Sequence, residues 1–244
     1  MQNNLCRAEV INDEIVFTSE MSNGSDIQTV IENDKRYGKM VPRNGKYFTF
    51  KVYDVFDEEI THKQVVKAVH WGWRRWTKRL NIKVKQAKSH EQPDFKYIFR
   101  SPQNDERKEM RTGTIMYMYF PINSLTSPNR GVCVINPGFY YTDHGNSLPM
   151  HAIDPENYSP TSQARGRTID MDVVFAHENG HGIGLPHDPE PNSIMSTPYR
   201  TISEWLSERD VYRGIKKGYG IAKMPIYHWK RWYNTIRRRS DDYF

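Results

Sequence analysis

The chain has 244 residues, of which 37% are hydrophobic and 26% are charged, and this suits one ordinary domain with short extensions. Two cysteines, Cys6 and Cys133, are too few for the disulfide framework of a small secreted domain. No stretch approaches the ~20 apolar residues of a membrane-spanning helix, so we expect no transmembrane segment. Composition assigns no oligomeric state.

The first 46 residues are polar and form an N-terminal extension, in which residues 8–17 could hold a strand or a hairpin. Residues 1–7 lack the apolar region of a signal peptide, so the sequence assigns no compartment. The Arg-Asn-Gly sequence at residues 43–45 predicts a turn ahead of the main domain.

A strand and a long helix open the main domain. Residues 47–55 alternate apolar and polar side chains, which predicts a strand. Residues 61–80 predict a helix with Thr61 as its N-cap and with Trp73 and Trp76 on the core face. We expect its opposite, solvated face to carry Arg74, Arg75, Lys78 and Arg79.

Four further strands are predicted before the next helix. Their residues are 82–85, 94–99, 113–120 and 131–136, and the last is short and almost wholly apolar, which indicates a buried strand. A strand, a helix and then more strands predict an α/β (α+β) fold with helices packed on a sheet.

A long loop rich in Pro, Gly, Tyr and Ser follows at residues 137–168, where it could shape a cleft. It contains His144 and His151, which could bind a second metal with Asp143 or Asp154. Isolated loop histidines are usually solvated, and this group lacks the spacing of a metal site.

Residues 177–188 carry the most specific pattern in the chain. His177 and His181 are four residues apart, so on a helix they project from one face and can bind the same metal ion. Glu178 is placed to act on a metal-bound water. Gly184 can take a positive φ that reverses the chain and brings His187 round as the third ligand. Three neutral nitrogens and an open fourth position indicate a catalytic zinc site.

This pattern resembles the metzincin zinc proteases, whose signature is a His-Glu-x-x-His-x-x-Gly-x-x-His motif followed by a Met-turn. Residues 193–196 (Ser-Ile-Met-Ser) supply the Met-turn, and in the family a methionine such as Met195 forms an apolar floor beneath the metal. The matrixin branch is the most similar, with a resemblance over residues 47–220. It implies a twisted, mixed five-stranded sheet with an active-site helix and a C-terminal helix.

The resemblance also implies how a substrate binds. A protein or peptide chain would lie extended along an edge strand near residues 114–119. Its side-chain pocket would be walled by residues 196–200, among them Pro198 and Tyr199. We expect one catalytic zinc ion and no matching structural zinc, because residues 100–112 contain no histidine. The sequence leaves calcium open, and Asp188 departs from the Ser or Thr that matrixins usually have there.

Secreted matrixins often carry an inhibitory pro-segment whose cysteine occupies the zinc, so residues 1–46 could be such a segment. Residues 42–45 (Pro-Arg-Asn-Gly) have a passing likeness to that switch. Asn44 stands in the cysteine's place, however, and an amide is a poor zinc ligand beside a thiolate. We therefore interpret these residues as a simple turn.

The chain closes with a helix and a basic tail. Ser207 with Asp210 predicts a capped helix start and Gly218 a helix end. Residues 221–244 hold six Lys or Arg and two Asp, interleaved with aromatic residues. This tail could contact nucleic acid or an anionic surface, although an amphipathic helix packed on the domain is the simpler interpretation.

These observations predict a zinc-dependent endopeptidase in which His177, His181 and His187 bind the ion and Glu178 activates the zinc-bound water. The alternative is a non-catalytic zinc-binding protein with a structural or partner-binding role, whose basic tail contacts nucleic acid or an anionic surface. Glu178 favours the enzyme, because a purely structural site has no need of it.

Overall fold

Seven strands pair into one mixed sheet, and two helices pack on it and on each other. The structure is a computed structural model, and it describes residues 5–11, 14–19, 37–53, 61–100, 114–121, 129–137, 141–142, 169–190, 192–196 and 206–222. The loop histidines His144 and His151 and the tail from residue 223 lie outside the described residues.

The described strands are β1 (Leu5–Ile11), β2 (Glu14–Ser19), β3 (Phe48–Val52), β4 (Val84–Gln86), β5 (Phe95–Phe99), β6 (Thr114–Tyr119), β7 (Val132–Ile135), β8 (Tyr141–Thr142) and β9 (Ile169–Asp170). The described helices are α1 (His62–Arg79), α2 (Met171–Gly182) and α3 (Glu208–Lys216).

The order of the strands in the large sheet is β2-β1-β6-β7-β5-β3-β4. Strand β3 pairs parallel with β4 and β5, and β5 pairs parallel with β7. Strand β6 runs antiparallel to β7. Strands β3 to β7 are the mixed five-stranded sheet that the sequence predicts, so the α/β class is confirmed. The hairpin of β1 and β2 extends this sheet beyond β6.

Helix α1 begins where its sequence predicts. The Thr61 side chain accepts a hydrogen bond from the Gln64 amide, and the Gln64 side chain accepts one from the Thr61 amide, which completes a capping box. Trp73 and Trp76 are buried, as expected. The expectation for Arg75 is wrong: its side chain is buried, because it forms an ion pair with an aspartate of α2.

The two helices approach closely at Gly72 of α1. A Cβ atom at this position would lie 2.8 Å from the Cβ of Phe175 and 2.9 Å from the backbone nitrogen of Ala176. The indole of Trp76 donates a hydrogen bond to the Ala176 carbonyl across the same contact, at 2.8 Å. This packing fixes α2, which is buried along its whole length, between α1 and the sheet.

The turn before β3 is also as predicted. The amide of Gly45 bonds to the carbonyl of Pro42, and the Asn44 side chain accepts hydrogen bonds from the amides of Lys46 and Tyr47. Asn44 thus stabilises the turn through its own carbonyl oxygen, as asparagine does in Asx turns. None of the described helices is both long and apolar enough to cross a membrane.

Candidate metal centre

Buried polar contacts on either side hold α2 in place. The guanidinium of Arg75 bonds to the carboxylate of Asp172, one turn before the motif, at 2.6 Å. On the sheet side, the indole of Trp73 donates to the hydroxyl of Tyr97, at 2.9 Å, and this hydroxyl donates to the side-chain oxygen of Asn179, at 2.5 Å. These bonds fix both the position and the rotation of the helix.

Three histidines converge beside this helix. His177 and His181 lie one turn apart on α2, and His187 returns to them from the following loop. One ring nitrogen of each residue lies within 4.8 Å of the corresponding atoms of the others, so the three are positioned to hold a metal ion. All three side chains are buried, and the ring of Phe120 packs against that of His181 at 4.7 Å.

The hydrogen bonds of two of these histidine rings leave the other nitrogen of each ring available to a metal ion. The Nδ1 atom of His177 donates to the carbonyl of Ile194, and the Nδ1 atom of His181 donates to that of Leu185, both at 2.7 Å. Burial lowers the pKa of His177 to about 3 and that of His181 well below its usual value, which favours the neutral form of both rings. Each Nε2 atom therefore carries a lone pair.

These two Nε2 atoms lie 2.9 Å apart. Because both ring protons are already on Nδ1, no proton lies between the lone pairs, and they repel each other unless a cation binds them. A carbonyl acceptor at Nδ1 is also the usual orienting contact of a metal-binding histidine. The residues present therefore fit zinc, which binds imidazole nitrogens tetrahedrally.

Glu178 lies on α2 between the two helical histidines and is fully buried. No side chain of the described residues hydrogen-bonds to either of its carboxylate oxygens. Burial raises the pKa of Glu178 well above its usual value, and the nearby backbone of Met118 in β6 opposes part of this shift. A buried acid without a side-chain partner needs another function or ligand to explain it.

Gly184 makes the turn that follows α2. Its φ is +96°, a backbone conformation that residues with a side chain rarely adopt. Its amide donates a hydrogen bond to the carbonyl of His181 at 2.8 Å. The next amide, of Leu185, bonds back to the carbonyl of Gly180 at 2.9 Å. A Cβ atom at Gly184 would lie only 2.4 Å from the carbonyl oxygen of Gly38. The predicted positive φ is confirmed, and it directs the chain toward the third histidine.

The Met-turn packs under α2 and is anchored to α3. A Cβ atom at Gly180 would lie 2.3 Å from the sulfur of Met195, so the helix rests directly on this methionine. The carboxylate of Asp210 in α3 accepts hydrogen bonds from the Ser193 hydroxyl and, at 3.0 Å, from the Ile194 amide. Since the Ile194 carbonyl binds a histidine, α3 orients that ring through the turn.

A second anchor joins α3 to the loop of the third histidine. The buried carboxylate of Asp188, next to His187, binds Nε of Arg209 at 2.7 Å and Nη1 of Arg213 at 3.0 Å. Arg213 also donates to the carbonyl of Pro186 at 2.8 Å. These bonds hold the chain in place on both sides of His187, and we call them the Asp188 clamp. The sequence analysis noted Asp188 only as a departure from the usual matrixin residue, and it missed Arg209 and Arg213. The available signal was an acidic residue directly after the third ligand and two arginines on the predicted C-terminal helix.

Replacing Asp188 by Asn is expected to lower the affinity for zinc by roughly 10- to 100-fold, because outer contacts that orient a ligand have effects of this size. The control is Glu190→Gln, which neutralises another acid of the same loop but leaves the bonds of Asp188 to Arg209 and Arg213 in place. Competition with a chelating dye measures both. Equal affinities of the two variants would show that the Asp188 clamp does not position His187.

Two residues predicted for the substrate pocket, Pro198 and Tyr199, lie outside the described residues. The structure therefore gives no position for that wall of the pocket.

Comparison with known proteins gives one family. The model of the family described as Matrixin matches residues 43–220, which is more than half of the chain. The resemblance predicted from the motif and the Met-turn is thereby confirmed.

Individual relatives are distant. Metalloendoproteinase 1 of Glycine max is 27% identical over 192 residues, which covers 78% of this chain and 56% of the relative. Human neutrophil collagenase is 29% identical over 136 residues, covering 44% of this chain and 28% of the relative. Metalloendoproteinase 1-MMP of Arabidopsis thaliana is 32% identical over 106 residues, covering 34% of this chain and 29% of the relative. The chain thus spans between about a quarter and about half of the length of these relatives.

Proposed function

The chain belongs to the matrixin family, and from this premise we propose that it is a zinc-dependent endopeptidase whose metal ligands are His177, His181 and His187. The metalloendoproteinases among its relatives support this activity. We place the catalytic domain at residues 47–220, between an N-terminal extension (1–46) and a basic tail (221–244). The family match over residues 43–220 supports these bounds.

The three imidazoles would bind zinc through one nitrogen each. Zinc bound there would act as a Lewis acid on water and on the scissile carbonyl. The chain's own contribution is orientation: the carbonyls of Ile194 and Leu185 hold two rings in the required tautomer, and the Asp188 clamp holds the third. We assign Met195 to the apolar floor, supported by its packing beneath Gly180.

Glu178 would be the general base. It would take a proton from the attacking water and pass it to the nitrogen of the leaving amine as the peptide bond breaks. Burial suits this exchange, since it raises the pKa of Glu178 above its usual value and makes protonation of the carboxylate easier.

The observation that carries the proposal is this buried glutamate beside three converging neutral histidines. A metal site with a purely structural role binds its ion through a closed set of four ligands and has no use for such an acid. The alternative of a non-catalytic zinc protein therefore leaves Glu178 unexplained. Nothing in the described residues favours a nucleic-acid contact, since the basic tail from residue 223 lies outside them.

Removal and return of the metal is the first test. The purified chain is expected to contain about one zinc per molecule and to cleave denatured casein, to lose cleavage on dialysis against a strong chelator, and to regain it with one equivalent of zinc but not with magnesium. Metal analysis and gel electrophoresis of the same samples measure this. Cleavage that survives complete removal of zinc would contradict the proposal.

A further inference from the structure

A cluster of lysines lies on the large sheet, on the face away from the helices. In β3 and β5 the core residues alternate with Lys51 and Lys96, so both lysines point to the opposite face. Lys83 and Lys85 flank Val84, which packs against the core, and they therefore lie on that opposite face as well. We call these four lysines the lysine face.

The pairing of the strands brings the lysines into one row. Lys51 of β3 is the direct register partner of Lys96 of β5, and Lys85 of β4 lies diagonal to Lys51. Two half-buried aromatic rings lie in the same row. The amine of Lys85 is 4.3 Å from the ring centre of Tyr47, and that of Lys51 is 5.3 Å from the ring centre of Tyr53. The row crosses three strands and presents ammonium groups and aromatic rings together.

No nearby acid in the described part of the chain offsets these charges. Residues 43–53 and 83–96 contain seven Lys or Arg and only two acids, Glu91 and Asp94. Asp94 is buried and accepts hydrogen bonds from Thr49. Glu91 accepts one from the backbone amide of Lys88. None of the ion pairs among the described residues includes a member of the lysine face.

Protection of a sheet edge explains only half of this pattern. Strand β4 is the last strand of the sheet, and lysines on such an edge prevent pairing with other chains. Lys51 and Lys96 lie on inner strands, where no edge needs protection. Like charges directly opposite each other destabilise a sheet. A local feature that costs stability without an evident structural gain is expected at a functional surface.

The chemistry of the lysine face selects among anionic partners. The ammonium of lysine is a compact point charge on a flexible stem, so a row of them suits a flexible chain of anions. Val41 is the one large hydrophobic side chain that the described residues expose, so the lysine face offers a lipid surface no aliphatic group to bury. A polypeptide with a run of Asp or Glu is the polyanion that an endopeptidase could also bind at its metal centre.

The distance between the two sites suits one polypeptide. Across the sheet, β3 is the third strand from β6 and β4 is the fourth. Neighbouring strands lie ~4.8 Å apart, so the lysine face begins roughly 14 Å from β6, the strand beside Glu178. Ten extended residues reach up to about 33 Å, so a linking segment of this length can pass around the sheet.

We propose that the lysine face is a second binding surface of the enzyme, which holds an acidic segment of the protein substrate while another segment of the same chain occupies the metal centre. The inference rests on the proposed function, since it concerns the substrate of that site. The remote contact raises the local concentration of the scissile segment and so lowers KM.

Binding is tested on the zinc-free full chain, so that no activity is needed. The probe is a fluorescent peptide with six consecutive glutamates, measured by anisotropy at low ionic strength. Lys51→Gln with Lys96→Gln is expected to weaken binding at least tenfold. The control, Lys63→Gln with Lys67→Gln, changes the net charge equally on two exposed residues of α1 and is expected to stay within twofold of the wild type. Equal losses in the two double variants would overturn the inference.

The same anisotropy measurement, in competition, compares other polyanions with the glutamate peptide. A sulfated polysaccharide, an oligonucleotide and phosphatidylserine vesicles are each added at equal charge. We expect each of them to compete more weakly than unlabelled glutamate peptide. Stronger competition by any of them, lost in the Lys51→Gln, Lys96→Gln variant, would assign the lysine face to that polyanion and overturn the inference.

Kinetics test whether this binding serves hydrolysis. Two fluorogenic substrates share one cleavable segment and a flexible linker of about ten residues, and they end in six glutamates or six glutamines. The zinc-loaded wild type is expected to have an at least tenfold higher kcat/KM for the glutamate substrate, through KM alone. The lysine-face variant should lose this advantage and cleave the glutamine substrate as the wild type does.

The outcomes separate the two proposals. Equal kcat/KM values of the wild type for both substrates would overturn the inference, even if the glutamate peptide binds. If the zinc-loaded wild type cleaved neither substrate and left casein intact, the proposed function would fail, whereas the binding result on the zinc-free chain would stand. Stability is not a confounding factor, because removing two opposed like charges is not expected to destabilise the sheet.

Discussion

Replacing Glu178 by Gln is expected to lower kcat/KM for peptide hydrolysis by about 10²- to 10⁴-fold, the range that general acid–base groups contribute. Glutamine keeps the shape of this buried side chain but cannot accept the proton of the attacking water. Zinc content should not change, since the three histidines are intact. Steady-state kinetics with a fluorogenic peptide and metal analysis of the same samples measure both quantities.

The matched control is Glu190→Gln, the same chemical change in the neighbouring loop on a side chain that is not fully buried. It is expected to leave kcat/KM unchanged. Hydrolysis by the zinc-loaded Glu178→Gln protein at the wild-type rate would remove this residue from the mechanism.

Replacing Gly184 by Ala is expected to destabilise the metal-free chain by about 3 kcal/mol and to weaken zinc binding as well. The left-handed backbone alone costs roughly 1–2 kcal/mol for a side chain. The added methyl group would also press against the Gly38 carbonyl, 2.4 Å away, and this backbone atom cannot move as a flexible side chain can. Urea denaturation of the metal-free protein measures the free energy of unfolding.

Gly45→Ala separates the two causes. Its φ is +69°, yet a Cβ atom there would meet nothing within 4 Å, so only the backbone strain applies. We expect a cost of about 1 kcal/mol and unchanged zinc affinity. Equal losses of stability in the two variants would mean that the contact with Gly38 has no part in holding the loop of His187.

Much of the metal centre could be predicted from the sequence because its ligands lie close together along the chain. His177 and His181 share one helical face through the period of the helix, and Gly184 lies where a reversal is needed for His187 to return. The contacts that hold this unit could not be predicted in the same way. Asp188 meets Arg213 only through the packing of α3, and a charged residue on a predicted helix is most simply interpreted as solvated.

Arg75 illustrates the same limit. The periodicity of α1 places it on the polar side of the helix, and the structure buries it because α2 supplies Asp172 against that side. Likewise, the buried chain from Trp73 through Tyr97 to Asn179 links three elements that lie far apart in sequence. Periodicity indicates which side of an element is apolar, but it does not identify the neighbour.

The strands of the main domain were predictable, since β3, β5 and β7 carry the alternating or wholly apolar patterns of buried strands. The place of the N-terminal hairpin was not. Residues 8–17 indicated a possible hairpin, whereas the register of β1 on β6 joins residues more than a hundred positions apart. Pairing at that distance depends on which sheet edge is free in the folded chain.

Hydrolysis itself is measured most directly by the oxygen that it adds. The zinc-loaded chain would be incubated with denatured casein in water enriched in heavy oxygen, and the products would be analysed by mass spectrometry. The account predicts new internal C termini labelled from the solvent, and none when Glu178→Gln is added to the same chain. Casein that stays intact at full zinc occupancy, or labelled fragments that form equally fast without Glu178, would contradict it.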